Sequence, residues 1–502
     1  MVRKLLFFTF RILLLTVASV ALDDDYNLYG IAGQAYAIEI NLGRPQQKLY
    51  VLVDTGSTTL AIASYPEEDN QKYFVSENSS SLYDIGKEVQ AKYSQGMWIG
   101  RLVSDYIEFP SLSTKLEVRT NFALIKKSHK FFMNGSGWQG LLGLAYLPVG
   151  AWGENVIVES WLDSVERVSK KPISFQLKLC GVQSYTNATH YGNFEMLDDY
   201  TSNKNDKPMF QTLILRKRWY EIGIISIRAM TNNTRKQSFH FEDSIENETL
   251  LNVTVQDGTL FQNPDEETCQ MLNQQKSIVD SGTTNIRLPD VLFREVVDEL
   301  KSAIQNPVIL DEFWYHGEAA CWPDPQKWTQ PWLAIDLLSA DSDHQYFTLE
   351  IPPQNYMRLV SAHSGGPEGT VPQYCYKLGL EAGGRETVLG YTAMEGLQVL
   401  FNRTAGWIGW QEADCGPSAR VTGPHHTSAS LVTLCKLTAP IPQVAASIRA
   451  AQWALCAISA IAGGVLVYLL APCVKGLFVK KRPPSSLQMS LSRAALFEQE
   501  ST

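Results

Sequence analysis

The sequence predicts an all-β, mainly antiparallel protein of two lobes around a central cleft, followed by one C-terminal transmembrane helix. Three observations predict it. One short motif occurs twice, as Val51-Leu-Val-Asp-Thr-Gly-Ser57 and as Ser277-Ile-Val-Asp-Ser-Gly-Thr-Thr284. Segments rich in β-branched and aromatic residues alternate with Gly, Pro, Asn and Ser over most of the chain. The stretch 451–474 contains no charged residue.

The strands are clearest near the first motif. Ala35–Leu42 and Gln47–Val53 alternate or run apolar, and Gly43-Arg-Pro between them is typical of a hairpin turn. A few helical stretches interrupt the strands, and Asp290–Ile304, which follows Pro289, is one of them.

The first 21 residues are typical of a secretory signal peptide. Arg3 and Lys4 precede an apolar stretch, and Ser19-Val20-Ala21 supplies the small residues of a cleavage site. We therefore expect residues 1–21 to be a signal peptide; the alternative is an N-terminal anchor that is retained.

The second apolar stretch lies near the C-terminus. Its 24 residues would form a helix about 36 Å long, enough to cross a hydrocarbon core of about 30 Å. Four cations follow it closely and only Arg449 precedes it closely, which places the C-terminus in the cytoplasm. We expect a type I, single-pass protein with a stalk at 437–450, a transmembrane helix at 451–474 and a cytoplasmic tail at 475–502. The alternative is a buried core helix.

Residues 22–450 would then lie in the secretory lumen or outside the cell. Six of the eight cysteines fall in this segment, and an even number suits closed disulfides, although six cysteines allow about 15 pairings. Seven glycosylation sequons also fall there, at Asn78, Asn134, Asn187, Asn232, Asn247, Asn252 and Asn402. The net charge of −9 comes with no basic block, so we expect no nucleic-acid partner.

Each copy of the motif brings one aspartate, Asp54 or Asp280, to the end of an apolar strand. The glycine lets the two turns approach each other closely. The hydroxyl after the glycine can fix the carboxylate, and the hydroxyl before it can reach the opposing turn. These supporting residues are Thr55, Gly56, Ser57, Ser281, Gly282 and Thr283.

Two carboxylates about 3 Å apart cannot both ionise comfortably, so they share one proton. One then acts as a base that activates water and the other as an acid that protonates a carbonyl oxygen. This chemistry hydrolyses a peptide bond without a metal, a cofactor or a covalent intermediate.

The duplication extends beyond the aspartates. Leu141-Leu142-Gly143 follows the first copy and Val388-Leu389-Gly390 follows the second. Two copies of the same pair of motifs indicate two pseudo-equivalent lobes, which we place at 22–178 and 179–436.

With these motifs the chain resembles pepsin-like aspartic proteases, and most closely the membrane-anchored beta-secretase group. The resemblance covers roughly residues 28–435. It is carried by Asp280-Ser-Gly-Thr-Thr-Asn-Ile-Arg-Leu-Pro289, Thr392-Ala-Met-Glu-Gly396 and Gly140-Leu-Leu-Gly-Leu-Ala-Tyr146. It implies a pepsin-like acid protease fold and a membrane-anchored aspartic endopeptidase that cuts luminal, extracellular or membrane-tethered proteins.

The resemblance also implies roles for individual residues. Tyr93-Ser-Gln-Gly-Met-Trp98 resembles the family's flap, with Tyr93 as the flap tyrosine and Trp98 as its support. Thr284 and Arg287 would contact substrate. The group's cysteine order implies three disulfides, Cys180–Cys415, Cys269–Cys435 and Cys321–Cys375.

The chain departs from the group in three respects. Few residues separate the predicted signal cleavage from the first strand, so an inhibitory propeptide is missing or vestigial. The segment between Trp219 and Asp280 is longer than is usual and carries three sequons, as expected of a glycosylated surface insertion. The tail lacks an acidic-dileucine sorting signal.

Other readings fit less well. His363-Ser-Gly-Gly-Pro367 lacks the rest of a serine-protease triad, and no H-E-x-x-H or zinc-spaced cluster occurs. A glycosidase has no use for the duplicated turns or the flap. A catalytically idle, peptide-binding receptor on the same fold stays open as the alternative, although the aspartates, the adjoining hydroxyls and the flap tyrosine are all present.

Overall fold

The structure is a computed structural model. It describes residues 26–31, 35–66, 72–94, 96–112, 116–132, 137–146, 158–182, 188–197, 209–230, 254–256, 259–261, 264–306, 308–363, 373–437 and 443–478. The predicted signal peptide, residues 479–502 of the predicted tail and the sequon asparagines Asn134, Asn187, Asn232, Asn247 and Asn252 lie outside the described residues. The chain divides into two compact units, Met1–Thr438 and Ala439–Thr502.

The first part of the larger unit consists almost entirely of strands. They are β1 Leu28–Ile31, β2 Ala37–Leu42, β3 Gln47–Asp54, β4 Leu60–Ala63, β5 Tyr83–Lys92, β6 Met97–Glu108, β7 Val118–His129, β8 Gly140–Gly143, β9 Ser174–Val182 and β10 Thr189–Leu197. One helix, α1 Trp161–Ser169, begins at a capping box formed by Ser160 and Asp163.

The second part repeats the strand-rich pattern and adds helices. Its strands are β11 Phe210–Leu213, β12 Arg216–Lys217, β13 Tyr220–Glu221, β14 Ile224–Met230, β15 Thr254–Gln256, β16 Thr259–Phe261, β17 Ser277–Val279, β18 Ile286–Leu288, β19 Ala320–Trp322, β20 Trp332–Leu338, β21 Gln345–Ile351, β22 Met357–His363, β23 Gln373–Leu378, β24 Leu380–Ala382, β25 Thr387–Leu389, β26 Leu397–Asn402, β27 Trp407–Glu412 and β28 Arg420–His426. Its helices are α2 Glu266–Leu272, α3 Asp290–Ile304, α4 Asp311–His316, α5 Pro353–Tyr356 and α6 Leu431–Leu434.

The predicted fold class is confirmed. The predicted hairpin is β2 with β3, paired from Ala37 opposite Leu52 to Leu42 opposite Gln47, and the predicted helix at Asp290–Ile304 is α3. Apolar residues at Leu292, Phe293, Val296, Val297 and Leu300 form the buried face of that helix.

One large sheet joins the beginning of the chain to the end of the larger unit. Its order is β11-β27-β26-β9-β10-β1-β2-β3-β8-β4-β7-β6-β5. The expected lobe boundary at 178/179 falls inside β9, which pairs with β10 from the first part and with β26 from the second. The two halves are therefore built on shared strands.

The duplication seen in the sequence recurs in the strand pairing. In the first half the strand order is β3-β8-β4-β7. The outer two pairs, β3 with β8 and β4 with β7, are parallel, and the central pair, β8 with β4, is antiparallel. In the second half β17 runs parallel to β25, which pairs antiparallel with β18, which runs parallel to β24. Asp54 is the last residue of β3 and Asp280 directly follows β17, so the two motif aspartates occupy equivalent positions in this pairing pattern.

The glycine that ends β8 and the one that follows β25 explain the repeated apolar-apolar-Gly sequence. A Cβ atom on Gly143 would lie 2.3 Å from the carbonyl carbon of Thr58, and one on Gly390 would lie 2.3 Å from the carbonyl oxygen of Asn285. Both glycines touch the turn that follows a motif aspartate, and the backbone there leaves no room for a side chain.

The core is continuous across both halves, because buried residues from β2, β3, β9, β26 and β27 belong to one cluster. A smaller cluster forms around Cys269, Cys435 and Leu338.

The structure forms disulfides between Cys180 and Cys415, Cys269 and Cys435, and Cys321 and Cys375. Two of them join segments more than 160 residues apart, at separations of 235 and 166.

The smaller unit contains one long helix, α7 Gln443–Phe478. Its stretch Trp453–Ala471 has a mean hydropathy of 2.3 and is long and apolar enough to cross a membrane. The helix begins inside the segment expected to be a stalk, since Gln443–Ala450 contains no proline or glycine that would end it.

We predict that Gly390→Ala destabilises the protein by at least about 3 kcal/mol, because the new methyl group meets backbone that cannot move aside. Gly384→Ala is the matched control. Gly384 has a φ of +69° and nothing within 4 Å of its Cβ position, so it isolates the backbone strain, about 1–2 kcal/mol. Thermal unfolding of the two variants tests this; equal destabilisation would contradict the steric explanation.

Candidate active site

Asp54 is the last residue of β3 and is 5% exposed. Its Oδ1 accepts a hydrogen bond of 2.8 Å from the backbone N–H of Gly56, and its Oδ2 accepts one from the hydroxyl of Ser57. The turn that presents the aspartate therefore also fixes the orientation of its carboxylate.

Asp280 is held in the same way. Its Oδ1 accepts a hydrogen bond of 2.9 Å from the N–H of Gly282, and its Oδ2 accepts one of 2.7 Å from the hydroxyl of Thr283. The backbone N–H of Asp280 donates to the carbonyl of Leu389 at 3.0 Å. The two aspartates thus have equivalent surroundings, as the duplicated motif predicts.

The two turns face each other at very short range. A Cβ atom on Gly56 would lie 2.5 Å from the carboxylate atoms of Asp280, and one on Gly282 would lie 2.3 Å from Oδ1 of Asp54. A side chain at either glycine would therefore clash with the aspartate carboxylate of the opposite half. The structure brings the two predicted aspartates together.

Thr55 and Ser281 hold the turns at this distance by an exchange of four hydrogen bonds. The hydroxyl of Thr55 accepts from the N–H of Ser281 at 2.9 Å and donates to the carbonyl of Val279 at 3.0 Å. The hydroxyl of Ser281 accepts from the N–H of Thr55 at 3.1 Å and donates to the carbonyl of Val53 at 2.7 Å. All four bonds are buried and join the two halves of the chain.

Burial raises the pKa of Asp54 well above its ordinary value, and the nearby Asp280 carboxylate raises it further. The hydrogen bonds from Ser57 and Gly56 oppose this effect. Two carboxylates held this close together share a single proton.

Tyr93 and Trp98 lie at the end of the hairpin formed by β5 and β6. The backbone N–H of Tyr93 donates to the carbonyl of Gly96 at 3.0 Å, and the indole N–H of the fully buried Trp98 donates to the Tyr93 hydroxyl at 3.3 Å. Burial raises the pKa of Tyr93, and the charge of Asp54 contributes to that shift. The Tyr93 hydroxyl is thus close enough to the pair to interact with Asp54 electrostatically.

Thr284 and Arg287 follow the second turn. The carbonyl of Thr284 accepts a hydrogen bond of 3.1 Å from the N–H of Thr392. The Nε atom of Arg287 lies 2.9 Å from a carboxylate oxygen of Glu381, whose other oxygen accepts from the Asn285 amide at 2.9 Å. The guanidinium of Arg287 is therefore already paired within the protein.

Trp219 is a residue of the site that the motifs did not single out. Its indole N–H donates a hydrogen bond of 2.9 Å to the carbonyl of Gly56, although the two residues are far apart in sequence. The neighbouring Tyr220 donates to the carbonyl of Leu144 at 2.7 Å. The only signal in the sequence is a Trp-Tyr pair after three consecutive cations, which does not identify its partner.

Of the sequon asparagines that the structure describes, Asn78 is exposed and Asn402 is partly buried, with its side-chain oxygen accepting from the N–H of Ala405 at 2.8 Å. Within the described ranges, no group of three or more His, Cys, Asp or Glu side chains is arranged to hold a metal ion.

Comparisons with known proteins agree with this geometry. The family model described as "Eukaryotic aspartyl protease" matches residues 35–234, which include the Asp54 motif. A beta-secretase of Strongylocentrotus purpuratus is 29% identical over 421 residues, covering 82% of this chain and 72% of that protein. Pepsin A-5 of Mus musculus is 29% identical over 131 residues, covering 25% of this chain and 33% of that protein. Pregnancy-associated glycoprotein 2 of Sus scrofa is 26% identical over 146 residues, covering 28% of this chain and 34% of that protein.

The raised pKa of Asp54 predicts how stability depends on pH. Between the ordinary pKa of an aspartate and the raised one, the folded protein binds more protons than the unfolded chain, so the free energy of unfolding falls as pH rises. We expect the wild type to lose stability relative to Asp54→Asn as pH rises above about 4, the ordinary pKa of an aspartate, by up to about 1.4 kcal/mol per pH unit.

Thermal unfolding of the full-length protein in detergent at three pH values measures this difference. Asp324→Asn is the control, because Asp324 is exposed and its replacement should shift the wild-type curve equally at each pH. A difference between wild type and Asp54→Asn that stays constant with pH would contradict the prediction.

Proposed function

We propose that this chain, a pepsin-like aspartic-type endopeptidase, cleaves proteins in the secretory lumen or at the cell surface with Asp54 and Asp280 as its catalytic pair. The observation that carries the proposal is the mutual approach of the two carboxylates, which leaves no room for a side chain at Gly56 or Gly282. A pair so close holds one proton between two oxygens, which general acid–base hydrolysis requires.

In the proposed mechanism a water molecule attacks the carbonyl carbon of the scissile bond. The ionised carboxylate of the pair takes a proton from that water. The protonated carboxyl of the other aspartate donates its proton to the carbonyl oxygen, so that a neutral tetrahedral diol forms. Collapse of the diol breaks the C–N bond: the newly protonated carboxyl donates a proton to the leaving nitrogen, and the other carboxylate takes a proton from a diol hydroxyl, which restores the starting state of the pair.

The flap residues support this mechanism by position. The Tyr93 hydroxyl receives the indole N–H of Trp98 and is subject to the field of Asp54. Because burial and that field raise its pKa, the hydroxyl stays protonated and can donate to a bound peptide. We propose that the β5–β6 hairpin closes over the substrate and that Thr284 lines the cleft beside it.

The proposed location rests on the long apolar stretch of α7, on three disulfides and on the sequons. We propose that α7 anchors the enzyme as a type I membrane protein, with Asn78 and Asn402 among its glycosylated residues. We propose membrane-tethered or luminal proteins as the substrates, with hydrophobic side chains flanking the scissile bond.

The decisive experiment incubates the full-length protein in detergent with a diverse peptide library between about pH 3.5 and 7. We expect cleavage at acid pH, lost as the shared proton dissociates, and a fall of at least about 10³-fold in Asp54→Asn and Asp280→Asn. Asp324→Asn should cleave at the wild-type rate. Peptide binding without cleavage by the folded wild type would instead identify a catalytically idle, peptide-binding receptor.

We further predict that Tyr93→Phe lowers kcat/KM about three- to tenfold, because it removes one hydrogen bond from the flap and leaves the Trp98 N–H without its acceptor. Tyr65→Phe is the matched control. The Tyr65 hydroxyl donates to Ser128 at 2.9 Å, and its removal should leave kcat/KM unchanged. Steady-state kinetics on one peptide compares the two variants, and equal effects would argue against a role for the flap tyrosine.

A further inference from the structure

A buried cluster of three rings and one carboxylate contacts the segments that carry the two catalytic turns. Its members are Tyr36, His190, Tyr391 and Glu395, all of them buried. The ring centres of Tyr36 and Tyr391 lie 5.4 Å apart, and the His190 ring lies 5.6 Å from the first and 5.8 Å from the second. The Oε1 atom of Glu395 accepts a hydrogen bond of 2.8 Å from the Tyr36 hydroxyl and lies 3.2 Å from Nδ1 of His190. The cluster therefore joins three segments that are far apart in the sequence.

Tyr36 connects this cluster to the first catalytic turn. Its carbonyl accepts a hydrogen bond of 2.9 Å from the N–H of Val53, the residue that precedes Asp54. Its hydroxyl donates to Glu395 and also accepts a hydrogen bond of 3.0 Å from the N–H of Gly181 in β9, the strand that both halves share. The backbone and the side chain of this tyrosine are thus both held in place.

Glu395 connects the cluster to the second catalytic turn. Its N–H donates to the carbonyl of Tyr391 at 3.0 Å, which closes one helical turn. The N–H of Tyr391 donates to the carbonyl of Thr283 at 2.9 Å, and the Thr283 hydroxyl donates to the Asp280 carboxylate. A continuous path of hydrogen bonds and short backbone segments therefore runs from the residue before Asp54 to the residue that orients Asp280.

The side-chain link in this path is the hydrogen bond from Tyr36 to Glu395. Burial raises the pKa of Tyr36, and the charge of Glu395 raises it further, so the hydroxyl stays protonated and remains a donor. The ionisable groups that face Glu395 are Tyr36, His190 and Tyr391, and the guanidinium of Arg358 lies 5.9 Å from the centre of the Tyr391 ring. A hydrogen bond from a hydroxyl to a buried carboxylate is stronger than one between neutral groups, so this link resists separation of the segments it joins.

We propose that Tyr36 and Glu395 are positioning residues for the catalytic pair, because their hydrogen bond ties together the segments that support the two turns. The proposal rests on the endopeptidase function proposed above and adds residues that act on the pair without touching the substrate. The exchange between Thr55 and Ser281 holds the turns to each other directly, and the link from Tyr36 to Glu395 holds the segments beneath them. Without that link the two carboxylates are free to move apart, and the sharing of one proton weakens.

The first variant is Tyr36→Phe, which removes the hydroxyl and keeps the ring. Steady-state kinetics of the full-length protein in detergent, on one cleavable peptide, gives kcat and KM across the pH range of activity. We expect kcat to fall about five- to twentyfold with KM within about twofold, because the geometry of the pair changes and the peptide contacts do not. The pH range of activity should also narrow by about half a pH unit or more, since the two apparent pKa values of a carboxylate pair approach each other as the carboxylates separate.

Tyr356→Phe is the matched control. Tyr356 is also fully buried, and its hydroxyl donates to the carbonyl of Pro331 at 2.6 Å, so its replacement should lower thermal stability but leave kcat and the pH range unchanged. A second comparison uses Glu395→Ala, which should behave like Tyr36→Phe, and Glu395→Gln, which keeps an acceptor for the Tyr36 hydroxyl and should recover most of the lost kcat. Unchanged kcat and pH range in Tyr36→Phe, or the same changes in Tyr356→Phe, would overturn the assignment.

Thermal unfolding separates this proposal from the proposed catalysis. The pH-dependent stability difference between the wild type and Asp54→Asn depends in part on the Asp280 carboxylate, so it should be smaller when both proteins also carry Tyr36→Phe. A smaller difference would support the positioning role even if the wild type cleaved nothing, a result that would refute the endopeptidase function. Cleavage with unchanged kcat, pH range and stability difference would refute the positioning role and leave the endopeptidase function standing.

Discussion

The hydrogen-bond exchange between Thr55 and Ser281 is the interaction on which the rest of the structure depends. Each hydroxyl both accepts from and donates to the opposing turn, so neither half can shift without breaking buried hydrogen bonds. The exchange brings two acidic side chains together although their charges repel. The shared sheet and the continuous core restrain the same movement from outside.

Electrostatics at the site follow from this enforced closeness. Burial and the neighbouring carboxylate raise the pKa of Asp54, while the hydrogen bonds from Ser57 and Gly56 oppose this effect. A buried polar cluster lies behind the turns: the Tyr36 hydroxyl donates to the carboxylate of Glu395 at 2.8 Å, and the N–H of Val53 donates to the carbonyl of Tyr36. The second motif's Gly390 is followed by Tyr391, whose ring packs edge-on against Tyr36. Polar contacts therefore extend from the first catalytic turn into the interior, and a ring contact joins them to the second half.

The sequence predicted those features that local patterns determine. The β2–β3 hairpin follows from alternation and a turn, the helix α3 follows Pro289, and the equivalence of the two halves follows from a repeated motif. Trp219 could not be predicted, because its hydrogen bond to Gly56 depends on how two distant segments pack. The helix α7 begins at Gln443, before the stretch expected to cross the membrane, since residues 443–450 lack a helix-breaking residue but are less apolar than the stretch that follows.

The catalytic pair could be predicted from the sequence and the contacts that set substrate preference could not, because the two kinds of site place different demands on the sequence. The chemistry needs two carboxylates in one geometry. Asp, Gly and a hydroxyl residue in a fixed order provide that geometry, so the motif can be recognised in the sequence. Substrate preference needs only a charge or a ring at the right place, which many sequences provide. Arg287 illustrates the consequence: the resemblance implies a substrate-contacting cation, yet in this chain Glu381 lies within 2.9 Å of it. A carboxylate at that distance competes with an acidic substrate for the guanidinium.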